Sequence, residues 1–271
     1  MSAQTTVSTD TTVRHELTVR SITVDDLRTI LSRGRDDFFA RPTYGVFLTF
    51  FYLLIAVFTA VAGLGENLLP LLFPLISGVA LIGPLAACGL YVLSRRREAG
   101  QDYSLWHVFD VFTAPSRWSI AAVAVILAVL FVAWMMTALA LYGAYFGDIQ
   151  PGSLRALAGN VLTTPAGWQL IISGCAIGFV YSVVVFAATV VGLPLLIDRK
   201  VSLAQAVGVS IRAVLVNWKA MAVWYLLVAG LMILGALPLF LGLAVVVPVL
   251  GHATWHLYRH VVSVQSSSDW Q

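Results

Sequence analysis

The chain has 271 residues, of which 59% are hydrophobic and 11% charged, with a formal net charge of +3. Soluble domains run at roughly 45–50% apolar and about 25% charged, so a soluble globular domain is excluded. The small positive balance is not a nucleic-acid signal, and the composition fits a chain that uses the lipid bilayer as its solvent.

In chain order, residues 1–22 are polar, begin rich in Ser and Thr, and are expected to form a disordered cytoplasmic tail. No short apolar region with a cleavage site precedes Tyr44, so no secretory signal peptide is expected. A membrane domain is expected over 23–262, opening on an amphipathic segment at 24–39. Val24, Leu27, Ile30, Leu31 and Phe38 fall near one helical face there. Thr23 caps it, and Asp25 and Asp26 suit the first turn.

Six runs follow without a single Asp, Glu, Lys or Arg: 44–64, 68–93, 120–146, 168–197, 218–235 and 238–258. A helix needs roughly 20 apolar residues to cross the hydrocarbon core. Backbone polar groups must be satisfied within each segment there, so the runs are read as six transmembrane helices. Glu66 and Asn67 make the first outer turn. A second amphipathic segment starts at Ser104, carries Leu105, Val108, Phe109 and Phe112, and stops near Pro115. The loop 147–167 holds a short helix at 153–161. A third amphipathic segment starts at Ser202 with Gln205 at capping-box spacing, and carries Leu203, Ala206, Val207, Ile211, Val214 and Leu215. The last two spans turn near 235–238, and 263–271 is read as a cytoplasmic tail.

Fifteen of the sixteen Lys and Arg lie before the first run, after an even-numbered run, or just ahead of an odd-numbered one; only Arg155 lies on the other side. The positive-inside rule then puts both termini in the cytoplasm. Arg41, Arg117 and Lys219 each stand just ahead of an odd-numbered span. Each even-numbered span carries a late proline, Pro84, Pro194 or Pro248, where a kink is expected. The predicted fold is all-α: a polytopic membrane protein of three parallel repeats, each an amphipathic helix plus a transmembrane hairpin.

Few residues offer chemistry. His252, His256 and His260 are spaced four apart near the end of the last span and line one helical face. Cys88 follows Pro84 by four residues as His252 follows Pro248, so Cys88, His252 and His256 are the candidate metal ligands. Against a metal, no carboxylate accompanies this stretch to orient the imidazoles, and interfacial placement explains His beside Trp255, Tyr258 and Arg259. Two histidines one turn apart cannot be the two opposite axial ligands of a haem. No cofactor is expected. Cys88 and Cys175 are expected at opposite ends of their spans, with no disulfide between them.

Gly174, Gly178 and Ser182 form a small-residue ridge that suits close helix packing, within the fold or against a second copy. Asp102, His107 and Asp110 lie in a loop, as an acid–base group or a solvated face. There is no phosphate-binding loop, nucleotide fingerprint, nucleophile elbow or zinc-protease motif.

Residues 250–259, the string Leu81 to Ala86 with Gly89, Leu90, Tyr91, Ser94, Arg95 and Arg96, and Asp37, Phe38, Pro42, Tyr44 and Gly45 carry a resemblance. Over about 25–262 the chain resembles a bacterial family of multi-pass membrane proteins catalogued as domain of unknown function 2189. The resemblance implies a bacterial inner-membrane protein without an assigned activity, and transfers no site residues. The expected function is a non-catalytic accessory, assembly or scaffolding component. Its partners are the lipid bilayer and either a membrane complex or a second copy, without nucleic acid. The alternatives are a small-molecule or lipid transporter or channel using the kinked helices, and a metal- or haem-binding membrane protein.

Overall fold

A computed structural model describes residues 16–43, 69–70, 72–147, 151–238 and 240–265. The expected first span, 44–64, and the turn at Glu66 and Asn67 lie outside the described residues. The described chain is mostly helical. Its helices are α1 (Asp26–Ala40), α2 (Leu72–Ala86), α3 (Cys88–Glu98), α4 (Arg117–Phe146), α5 (Leu154–Thr163), α6 (Pro165–Thr189), α7 (Gly192–Asp198), α8 (Leu203–Val216), α9 (Trp218–Ala236) and α10 (Leu243–Val261). A 3-10 helix, Leu105–Thr113, joins α3 to α4. A short antiparallel ribbon pairs β1 (Glu16–Val19) with β2 (Val262–Gln265).

Among the described residues, three stretches are long and apolar enough to cross a membrane: α4, α6 together with α7, and α9. Only 22% of the most apolar window of α4, and the same share in α9, is buried. Their bare faces carry Val125, Val129, Val132 and Met136 on α4, Ile172 and Phe179 on α6, and Leu226 and Ile233 on α9. Water would penalise such faces, whereas lipid tails are as apolar as the side chains. The other expected spans differ in form. Run 68–93 is divided at Ala87 into α2 and α3. Run 238–258 becomes α10 only from Leu243, and its second half carries polar side chains into the interior.

The expected caps form. Ser202 and Gln205 close a capping box on α8. Thr23 and Asp26 bond reciprocally ahead of α1, Asp26 Oδ2 accepting from the Thr23 amide at 2.7 Å. Ser153 caps α5 through the Ala156 amide. The late prolines act unequally. Pro194 has no amide for the Val190 carbonyl, and the helix breaks at Val190 and Val191. Buried Ser210 of α8 then accepts from the freed Val191 amide at 3.2 Å. Pro248 sits inside an unbroken α10. The three cations that precede the expected odd-numbered spans all lie over aromatic rings: Arg41 over Tyr103, Arg117 over Trp118 and Lys219 over Trp218. Such pairs suit a membrane boundary, where an amphipathic ring and a cation meet the headgroups.

The core is densest at the basic end. Val92 of α3, Val191, Leu195 and Ile197 around α7, and Trp255, Leu257 and Val261 of α10 are all at most 1% exposed. Deeper in the bundle, Trp134 of α4 donates through Nε1 to Pro74 O at 2.9 Å and meets Tyr181 edge-on. The α9–α10 turn closes on backbone contact between Gly235 and Gly242, where a Cβ on Gly242 would stand 2.8 Å from Gly235 Cα.

The ribbon places a strand at Glu16–Val19, within the range 1–22 expected to be disordered, and its partner at Val262–Gln265, where the expected cytoplasmic tail 263–271 begins. Asn217, buried between α8 and α9, extends the clamp. Its Oδ1 accepts from the Ile22 amide at 2.7 Å, and its Nδ2 donates to Arg20 O at 3.0 Å. Replacing Asn217 with alanine leaves both backbone groups without that partner, a cost of about 1–3 kcal/mol. Thermal unfolding in detergent is expected to show the loss, with residues 16–22 becoming protease-sensitive. Unchanged melting and protection would show that Asn217 does not hold this segment.

Candidate functional site

The polar groups of the basic end converge on Asp37. Leu27, Ile30, Gly34, Asp37 and Phe38 form the buried face of α1, so helical spacing places one carboxylate among apolar anchors. Gly34 sets how close α1 comes to α10. A Cβ there would stand 2.5 Å from the backbone N of Ala253. That contact brings Asp37, one turn along α1, to the His252–His256 turn of α10 and to the last turns of α3.

Asp37 Oδ2 accepts from Ser94 Oγ at 2.5 Å and from His256 Nε2 at 2.9 Å. Its Oδ1 accepts from the Arg97 guanidinium. Ser94 Oγ also lies 2.8 Å from His252 Nδ1. The carboxylate can only accept, so Ser94 gives its single hydrogen to Asp37 and His252 must donate through Nδ1. His252 Nε2 is thereby left as a bare acceptor, buried without a partner among the described residues. Burial disfavours the Asp37 anion, but the hydrogen bonds from His256 and Ser94 outweigh it and hold the carboxyl below its ordinary range.

A second tier surrounds this cluster. Glu98 accepts from Trp255 Nε1 at 3.1 Å and from Arg259 Nε at 3.2 Å. Asp198, at the end of α7, accepts from the Tyr258 hydroxyl at 2.7 Å. Arg95 reaches the Ile197 carbonyl. The cations in the last turn of α3 therefore fasten helices together as well as marking topology. Alongside, His107 bridges Asp102 at 3.1 Å and Asp110 at 3.0 Å, with Arg96 on Asp110. The His107 hydrogen bond is the main reason the Asp102 carboxyl lies below its usual range.

The structure therefore supplies the carboxylate that the His-rich stretch lacks in sequence, and it comes from α1, 219 residues from His256. His252 and His256 meet at Asp37, whereas Cys88 is buried apart from them and bonds to Pro84 O at 3.6 Å. His260 bonds to His256 O within its own helix. No group of three or more His, Cys, Asp or Glu suited to a metal ion occurs among the described residues. Of the small-residue ridge, Gly178 packs under the Trp134 ring and Ser182 bonds the Tyr225 hydroxyl, while Gly174 faces open space. Sequence reasoning missed Asp37, Ser94 and Arg97 as a unit. The available signal was a carboxylate on the apolar face of α1.

A cavity touching the cluster is lined by Asp37, Arg41, Ser94, Arg97, Tyr103 and His252 among others, and measures about 10 Å³. That is the room of one water molecule. The cluster can orient and lock helices and delocalise charge over several bonds, and this cavity has no room for a substrate.

Apolar helices with lipid-exposed faces, joined at one end by buried polar contacts, define an integral membrane protein. The family model described as "Predicted integral membrane protein (DUF2189)" matches residues 72–198, so over that stretch the family read from the motifs is shown. No curated protein and no solved structure matches the chain.

Proposed function

We propose that this protein is a non-catalytic accessory, assembly or scaffolding component of the bacterial inner membrane, with six spans, three parallel repeats and both termini in the cytoplasm. One observation carries the reading. Apart from His252 Nε2, the polar groups of the Asp37 cluster bond one another, and they are buried: Asp37 is 7% exposed, Ser94 1% and His252 3%, beside a cavity with the room of one water molecule. A catalytic or proton-relay site needs groups that reach a ligand or a water path; these reach each other. The orientation is supported by fifteen of sixteen cations lying toward one side. The repeat is supported by the matching cation–ring pairs at Arg41, Arg117 and Lys219. Exposed Trp106, Phe109 and Phe112 on the 3-10 helix offer the same end an apolar surface for headgroups or a partner.

Pull-down of the tagged chain from native membranes in mild detergent, read by quantitative mass spectrometry, tests the proposal. A stoichiometric partner is the expected result. Recovery of the chain alone or as a self-oligomer, with solute flux in liposomes, would replace it with a transporter or channel. The specific feature favouring that second reading is the pair of helix interruptions, at Ala87 and at Val190–Val191.

A further inference from the structure

A second, larger cleft lies away from the Asp37 cluster, at the start of α4 and of α8. It measures about 340 Å³ and is lined by Ser116, Trp118, Ser119, Lys200, Ser202 and Gln205 with two apolar neighbours. Ligand pockets begin at about 300 Å³, so this one admits a small polar group. Its hydrogen-bonding character is one-sided. The Lys200 ammonium makes no ion pair among the described residues, whereas neighbouring Arg199 is held by Asp198 at 3.2 Å. The Ser119 hydroxyl has no hydrogen bond there either. Gln205 uses Oε1 on the Ser202 amide, which leaves its Nε2 donors free. No carboxylate lines the cleft. Three unspent donors, one of them charged, therefore meet in a cleft free of anions. The first turns of α4 and α8 add amide dipoles of the same sign.

The position of the cleft points to what it binds. Trp118 opens one candidate span, Arg117–Phe146, and Lys200 follows the end of another, Pro165–Asp198. Ser116 Oγ joins the two, donating to Arg199 O at 2.8 Å and accepting from the Val201 amide at 3.0 Å. The cleft therefore lies at a bilayer boundary, the depth of phospholipid phosphates. Below it, Trp118, Val125, Val129, Val132 and Met136 recur at helical spacing as one exposed apolar stripe along α4. That stripe matches the path of an acyl chain descending from the cleft.

We propose that this cleft binds a phosphate group, with Lys200 as its charged anchor and Ser119 and Gln205 as neutral donors, and that the phosphate belongs to an anionic phospholipid. This site is independent of the accessory role above. Phosphatidylglycerol and phosphatidylcholine share the phosphate, but only the former carries net charge for Lys200 to balance.

The test uses the full chain in detergent with an equimolar mixture of the two lipids, the retained lipid being counted by native mass spectrometry. Wild type is expected to retain phosphatidylglycerol in preference, and Lys200→Gln to lower that retention about fivefold. Lys219→Gln removes a charge at the same boundary, outside the cleft, and is expected to leave retention unchanged. Equal retention by Lys200→Gln and wild type would overturn the site. An equal loss in Lys219→Gln would also overturn it, by reducing the effect to general surface charge. A third arm adds inorganic phosphate without lipid. Stabilisation of wild type but not of Lys200→Gln by phosphate, with no preference between lipids, would keep the phosphate site and overturn its assignment to lipid.

Discussion

Replacing Gly34 with valine is expected to prevent the basic end from closing. A Cβ at Gly34 would lie 2.5 Å from both the backbone N and the Cβ of Ala253, and 2.6 Å from its Cα. Backbone atoms in the middle of a helix cannot move aside as the tip of a flexible side chain does, so α1 must lift off α10. Lifting exposes Leu27, Ile30 and Phe38, each at most 4% exposed in the docked state, at roughly 1.5–3 kcal/mol apiece. It also strands Asp37. The sum exceeds about 4 kcal/mol, the range in which a single substitution is exceptional. The expected result is loss of the monodisperse peak in size-exclusion chromatography, with rapid proteolysis within 16–43. Gly208→Ala in α8 is the matched control. A Cβ there meets nothing within 4 Å, and alanine favours a helix over glycine by about 1 kcal/mol. If Gly34→Val melts like the parent, α1 and α10 do not pack backbone to backbone.

Asp37→Asn is the second large effect. The amide keeps the volume of the carboxyl but removes the charge that faces Arg97. It also turns an acceptor-only group into one that presents an N–H toward existing donors. Breaking one side of a fully buried ion pair costs about 3–5 kcal/mol, and with the Arg97 side chain 35% exposed the loss here falls toward the lower end. The pH dependence has a definite sign. The Asp37 carboxyl is held below its ordinary value in the folded chain. The anion therefore stabilises the fold fully above the unfolded value of about 3.9, and that contribution is lost as pH falls through the lower folded value. The stability gap between the parent and Asp37→Asn is accordingly widest at neutral pH and narrows in acid. A gap that stays constant, or widens on acidification, would mean that the ionised carboxylate is not what holds the cluster.

Much of the fold was legible because it follows from one-dimensional rules. The face of α1 follows from the spacing of Leu27, Ile30 and Phe38, the start of α8 from Ser202 and Gln205, and the membrane class from uncharged runs. The site was not legible because its members are distant in sequence. Asp37, Ser94 and His256 belong to three helices, and Asp37 sits beside Asp36 in a charged stretch that reads as solvated. The arginines in the last turn of α3 were read as topology signals, and nothing local separates Arg96 and Arg97, which hold carboxylates, from cations that face water. Four-residue strands such as Glu16–Val19 carry too little alternation to stand out, and their pairing with Val262–Gln265 depends wholly on the rest of the fold.

The placement of the cluster also sets an order of assembly. Asp37 and the arginine that balances it belong to the earlier part of the chain, while His256 and the strand that pairs with β1 come almost last. During synthesis the early carboxylate can meet Ser94 and Arg97 first, but its histidine partner arrives only with the final helix. Closure of the basic end therefore reports that every preceding segment has been inserted. A chain truncated before His252 would keep Ser94 and Arg97 beside Asp37 but lack both histidines and the strand that pairs with β1, leaving the basic end unclosed.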